Sequence, residues 1–232
     1  MTFPQFSEQL GARIAKYDLL CHPFYKAWAA GELTREELRA YAADYYPHVA
    51  AFPEYLAALA SRTVDGELRG AVLINRADEL GAEDAGGRPH EELWLDFAVG
   101  MGAERDQVRR HTPIAEVQEL IAAYRRVAAE GSAAQALAAF YAYESQVPRV
   151  AKEKIRGLRD LYGADARTRG YFTLHQTADV HHSQVWKQQL ERELAADPEA
   201  AAEALEAAES AARWLWRALD GIERERQTRK AA

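Results

Sequence analysis

Apolar residues recur at intervals of three and four along nearly the whole chain, and alternating runs of β-branched residues between turns are missing. The pattern predicts an all-α bundle of seven to eight helices, over roughly 4–19, 34–62, 67–82, 90–101, 113–130, 133–161, 167–193 and 196–227. The clearest start is Thr34-Arg35-Glu36-Glu37 after Gly31, a capping box in which Thr34 and Glu37 satisfy each other's backbone donors. Asp65-Gly66 supplies the turn that ends the long helix. Pro47 and Pro53 fall inside that helix, where each removes a backbone donor and crowds the preceding turn, so a bend opening room beside the helix is expected. No Pro/Ser-rich linker or fixed-period repeat divides residues 1–232, which points to a single domain with a charged tail, 223–232, prone to fray.

The abundance of Ala, Leu, Glu and Arg fits helices better than sheets or disorder. A net charge of −7, with no basic block, removes the electrostatic footprint of a nucleic-acid binder. The single cysteine, Cys21, rules out an internal disulfide and suits a reducing compartment. The first residues show neither a basic nor an apolar leader region, and no stretch of about 18 apolar residues occurs. A cytoplasmic protein with no membrane partner is the expectation.

Candidate chemistry concentrates in His175-x3-Asp179-x2-His182, where positions i, i+4 and i+7 of a helix share one face and would direct three ligand atoms to a common point. Two imidazoles and a carboxylate suit iron or manganese. A solvated polar face is the bland alternative. Glu144 closes the stretch Phe140-Tyr141-Ala142-Tyr143-Glu144, in which a lone buried carboxylate is costly and needs a partner, either a metal or an arginine such as Arg149 or Arg126. His90 follows Pro89 at a helix start, and Glu83 precedes it by seven residues across Asp84-Ala85-Gly86-Gly87. A helical segment would put the pair on one face; a break at the glycines would let both move onto or off a metal.

Taken together, Glu83-x6-His90, Glu144 and His175-x3-Asp179-x2-His182 resemble the six-ligand pattern of the heme-oxygenase-like diiron oxidases. In spacing they are most similar to the branch typified by the chlamydial protein associating with death domains. The segments His22-Pro23-Phe24-Tyr25-Lys26-Ala27-Trp28 and Tyr45-Tyr46-Pro47-His48-Val49-Ala50-Ala51-Phe52-Pro53 read like the first helices of that branch, so the likeness covers nearly the whole chain. The fold is shared with pyrroloquinoline-quinone synthase and the TenA proteins, which lack this ligand set. The resemblance implies two metal ions, Fe/Fe or Fe/Mn, with dioxygen and a reductant as co-substrates. It further implies synthesis of para-aminobenzoate for folate by excision of one of the enzyme's own tyrosines. On that likeness Tyr25 is the residue consumed, Tyr41 a redox-active neighbour, Lys154 the amino donor with Lys152 as a competing assignment, and Tyr143 and Tyr171 lie near the metals.

Other residues are expected to be structural. His22 and His48 suit the core or a pocket wall, and His111 a surface or capping position. His181 points about 100° away from His182 around the helix. Tyr17, Tyr55, Tyr124 and Tyr162 suit packing, and Cys21 a small buried hydrophobe rather than the nucleophile of a thiaminase-like enzyme. Two readings remain open beside self-sacrifice: an oxidase of an external small molecule, and a non-catalytic interaction module. An external reductant and a homodimer are the expected partners, although nothing in the sequence fixes the oligomeric state.

Overall fold

A computed structural model describes residues 1–82 and 87–231. Among these residues every regular element is helical: α1 (Phe3–Ala15), α2 (Pro23–Ala30), α3 (Arg35–Arg62), α4 (Gly66–Glu79), α5 (His90–Gly100), α6 (Arg105–Arg109), α7 (Ala115–Glu130), α8 (Ala133–Glu144), α9 (Val147–Asp160), α10 (Gly170–Ala196) and α11 (Ala201–Ala231), with short 3-10 turns at Leu19–Cys21 and Pro198–Ala200. None is long and apolar enough to cross a membrane.

The expected all-α class holds, but the helices are shorter and more numerous than periodicity alone suggested. The first expected helix stops at Ala15, because the Asp18 side chain caps the Leu20 amide in the 3-10 turn instead of continuing the helix. Next, His22 caps α2 through Nδ1 and Pro23 occupies its first position, while Gly31 ends it at φ 75°. The expected helix over 133–161 is two helices. Pro148 lacks the N–H that would bond the Glu144 carbonyl, so the chain breaks at Ser145–Gln146 and places Glu144 at the end of α8. By contrast, α3 carries both internal prolines without interruption, and each lines a surface cleft, Pro47 beside α7 and Pro53 beside α4. The tail expected to fray stays helical to Ala231, with buried Arg226 bonded to Glu223 at 2.8 Å.

Two buried stripes position the site. On α3, Tyr41, Tyr45, His48, Phe52 and Tyr55 follow one another at steps of three and four and face inward. On α10 the corresponding stripe is Tyr171, His175, Asp179, His182, Trp186 and Gln189, half of it ionisable. Helix α10 packs on α8, α9 and α5, and α3 packs on α4, α5 and α7. Helix α9 approaches α2 closely because residue 157 is glycine: a Cβ there would stand 2.8 Å from the Trp28 indole.

Candidate metal centre

Two groups of buried ligand-type side chains face each other inside the bundle. Glu79 at the end of α4, His90 at the start of α5 and His175 on α10 form the first; Glu144, Asp179 and His182 form the second, and within each the ligand atoms lie within 4.8 Å of one another. An enclosed cavity of about 10 Å³ is lined by Glu79 and His175 from one group and by Glu144 and Asp179 from the other, together with Val49, Phe52, Tyr143 and Tyr171. The groups therefore adjoin a common small space.

The geometry corrects the single-point reading of His175, Asp179 and His182. Seven residues of helix rise about 10 Å, and the three side chains divide between the two groups rather than converging in one. His175 joins the first group, and Asp179 and His182 join the second. Glu83 lies outside the described residues. Glu79, which the sequence reading did not single out, supplies the carboxylate of the first group. Its signal was present: Leu68, Val72, Asn75 and Glu79 form the buried stripe of α4, and a carboxylate on such a stripe needs a partner.

The side chains fit metal ions. His90 Nδ1 lies 2.8 Å from Glu79 Oε2, while His90 Nε2, Asp179 Oδ2 and His182 Nδ1 have no hydrogen-bond partner among the described residues, although all are buried. Buried polar atoms left unbonded are costly, and they converge where cations would satisfy them. His175 Nδ1 is engaged by the Tyr171 carbonyl at 2.7 Å, which leaves Nε2 for the ligand position. Glu144 accepts from the Trp186 indole and, at 3.5 Å, from Asn75. Neither arginine considered earlier neutralises it; Arg149 pairs with Asp18 at 3.2 Å.

Electrostatics of the bare groups agree. Burial pushes the Glu144 carboxyl well above its ordinary value, with Asp179 and Glu79 adding repulsion that His182 only partly offsets. Burial alone would lower His182, but Asp179, Glu144 and Asp78 overcome it and raise the imidazole to about 10. A proton here serves as the cation that the carboxylates require; a metal ion would displace it. All donors are oxygen or imidazole nitrogen, a set suited to iron or manganese. Cys21 is exposed, not buried as expected, and stands in the 3-10 turn before α2.

The tyrosine and lysine candidates form a second cluster. Tyr25 and Tyr41 share a hydrogen bond at 3.2 Å, and Lys154 Nζ donates to the Tyr41 hydroxyl at 2.6 Å. The same Nζ lies 4.5 Å from the Tyr25 ring centroid and 4.7 Å from that of Tyr41, inside a box closed by Trp28, Trp94 and Phe172. Lys152, the competing lysine, is exposed. Burial holds the Lys154 amine well below its ordinary value and raises both phenols. Trp94 and Tyr171 link this box to the centre: their ring centroids lie 4.9 Å apart, and Tyr171 stacks on His175 at 3.9 Å.

The profile of a family described as iron-containing redox enzymes matches residues 39–216. The chain belongs to this family. It is 39% identical over 221 residues to the 4-aminobenzoate synthase of Chlamydia trachomatis, covering 95% of this chain and 93% of that one. It is likewise 39% identical to the 4-aminobenzoate synthase of Nitrosomonas europaea, covering 94% and 90%. A solved domain with a heme oxygenase-like fold from Shewanella denitrificans superposes with a TM-score of 0.83 at 18% identity, over 99% of this chain and 95% of that one, which establishes the fold.

The remaining histidines take structural places in this member of the family. His22 caps α2 and bonds Asp220 at 3.1 Å. His48 lies fully buried among Tyr45, Tyr55, Tyr124 and Tyr143. His111 pairs with Asp44 at 2.7 Å near the surface, and His181 is exposed. Tyr55, Tyr124 and Tyr162 are core residues, and Tyr17 packs on Trp216.

Proposed function

We propose that this chain is a 4-aminobenzoate synthase whose substrate is its own Tyr25, oxidised beside a dinuclear centre of iron with iron or manganese. The observation that carries the reading is the Tyr25–Tyr41–Lys154 cluster, in which a phenol, a second phenol and a buried amine meet at 3.2 and 2.6 Å. The ions would be held by Glu79, His90 and His175 on one side and by Glu144, Asp179 and His182 on the other; Glu83 belongs to the ligand set through the family resemblance alone. Bound there, they supply reduction of dioxygen, with electrons from an external cytoplasmic reductant, and a means of oxidising a nearby phenol.

The chain's own groups supply the rest. Burial keeps Tyr25 and Tyr41 protonated, so an electron leaves either phenol only as its proton moves too. Tyr41 is placed to take the proton from Tyr25, and Lys154 Nζ stands beside it. Burial lowers the proton affinity of Lys154 and so favours the neutral amine, whose lone pair is the form required both of a proton acceptor and of a nitrogen donor. The small cavity between the ligand groups, about 10 Å³, has room for a molecule about the size of water.

The test is anaerobic loading with ferrous and manganous ions, then dioxygen and reductant, followed by product analysis and intact mass. Release of at most one 4-aminobenzoate per chain with loss of mass from Tyr25, and a heavy nitrogen in the product from protein labelled at lysine nitrogen, is the expected result. Product from a Tyr25→Phe variant at the parent yield overturns the reading.

A further inference from the structure

Two imidazoles of α10 serve the two ligand groups, yet they present opposite ring nitrogens. His175 is held through Nδ1 by a carbonyl of its own helix. In His182 the roles are reversed: Nε2 meets Asp78 Oδ2 at 3.1 Å, and Nδ1 faces Asp179 Oδ1 at 3.5 Å with no hydrogen-bond partner. Asp78 precedes Glu79 in the last turn of α4, so that turn delivers adjacent carboxylates to different tasks, one in the first group and one behind the imidazole of the second.

Resting on the reading of the two groups as metal sites, we infer that Asp78 is the positioning residue of the second site: it holds the His182 ring through Nε2 and so selects Nδ1 as the ligand atom. For His175 in the first site the Tyr171 carbonyl takes the corresponding place behind the ring. A carboxylate behind an imidazole ligand fixes its orientation and raises its basicity, and losing such a partner weakens metal binding by about 10- to 100-fold. Asp78 keeps 22% of its side-chain surface exposed and is not itself one of the six grouped donors, so its removal leaves those donors in the chain.

The experiment is anaerobic titration of the full chain with manganous ion alone, followed by equilibrium dialysis and electron paramagnetic resonance, for the parent, Asp78→Ala and Asp78→Asn. In Asp78→Ala one of two sites should weaken by about 10- to 100-fold with the other unchanged, and the melting temperature of the metal-free protein should stay near that of the parent. Asp78→Asn retains an oxygen able to accept from Nε2 and should recover most of the loss. Equal affinities in parent and Asp78→Ala, equal weakening of both sites, or an Asp78→Asn variant as impaired as Asp78→Ala overturns the role of Asp78 while leaving the dinuclear centre standing. A parent that binds fewer than two manganous ions overturns the two-site reading itself, and with it this inference.

Discussion

The ligand groups and the Tyr25–Lys154 box lie side by side in one core, yet they solve the burial of ionisable groups in opposite ways. Around His182, burial alone would strip the proton, but Asp179, Glu144 and Asp78 overcome it and hold the imidazolium to about pH 10. Among the described residues Lys154 forms no ion pair; the amine meets aromatic faces and a phenol, and burial lowers its proton affinity instead. One region gathers carboxylates around imidazoles; the other lowers the proton affinity of an amine. Charge in a core therefore marks a binding site, and its suppression marks a reactive group.

The largest expected effect would separate the two regions outright. Tyr25→Phe should abolish 4-aminobenzoate release while both metal ions remain bound, as read by chromatography and metal analysis, since phenol oxidation needs the hydroxyl and coordination does not. The converse variant, Glu144→Ala, should lose iron and manganese uptake yet keep its far-ultraviolet circular dichroism, because an aromatic-rich core rather than the ligands holds the bundle together. Collapse of helicity in that variant would make the centre structural.

A smaller effect contrasts His182 with His48, a buried histidine that has no carboxylate beside it. Burial lowers His48 to about 3, so below its unfolded value of 6.5 the unfolded chain binds a proton that the folded chain refuses. Stability should fall as pH drops from 6.5 towards 3, by roughly 3 kcal/mol at pH 4 from this residue. Urea midpoints across that range should decline less steeply in His48→Gln; an unchanged slope would mean His48 takes up a proton in the folded state. The smallest effect concerns the wall of the box. In Gly157→Ala a methyl group would meet the Trp28 indole at 2.8 Å, costing about 1–3 kcal/mol and shifting Lys154 one turn earlier on α9. Product yield should fall while metal stoichiometry is kept, as dialysis and chromatography would show.

The sequence by itself determined the helical class, because periodicity of three and four is a local property of the chain. It also marked Glu144, as a carboxylate in an apolar helix stretch, and His175, Asp179 and His182, by their spacing on one helix face, whereas His90 joined them through the resemblance. The Tyr25, Tyr41 and Lys154 assignments came from resemblance, since a tyrosine or lysine with helical spacing carries no local sign of its neighbours. Tertiary structure decided which groups meet. The division of His175 from Asp179 and His182 depends on the rise of α10 measured against ligands arriving from α4, α5 and α8. Glu79 joins His90 only because α4 and α5 both pack on α3. Lys154 is distinguished from Lys152 by two residues of helical rotation, about 200°, which turn one inward against Tyr41 and the other to solvent. Burial, and with it the protonation state on which the chemistry turns, belongs to the packed molecule because desolvation depends on what surrounds a group in space, not on what precedes it along the chain.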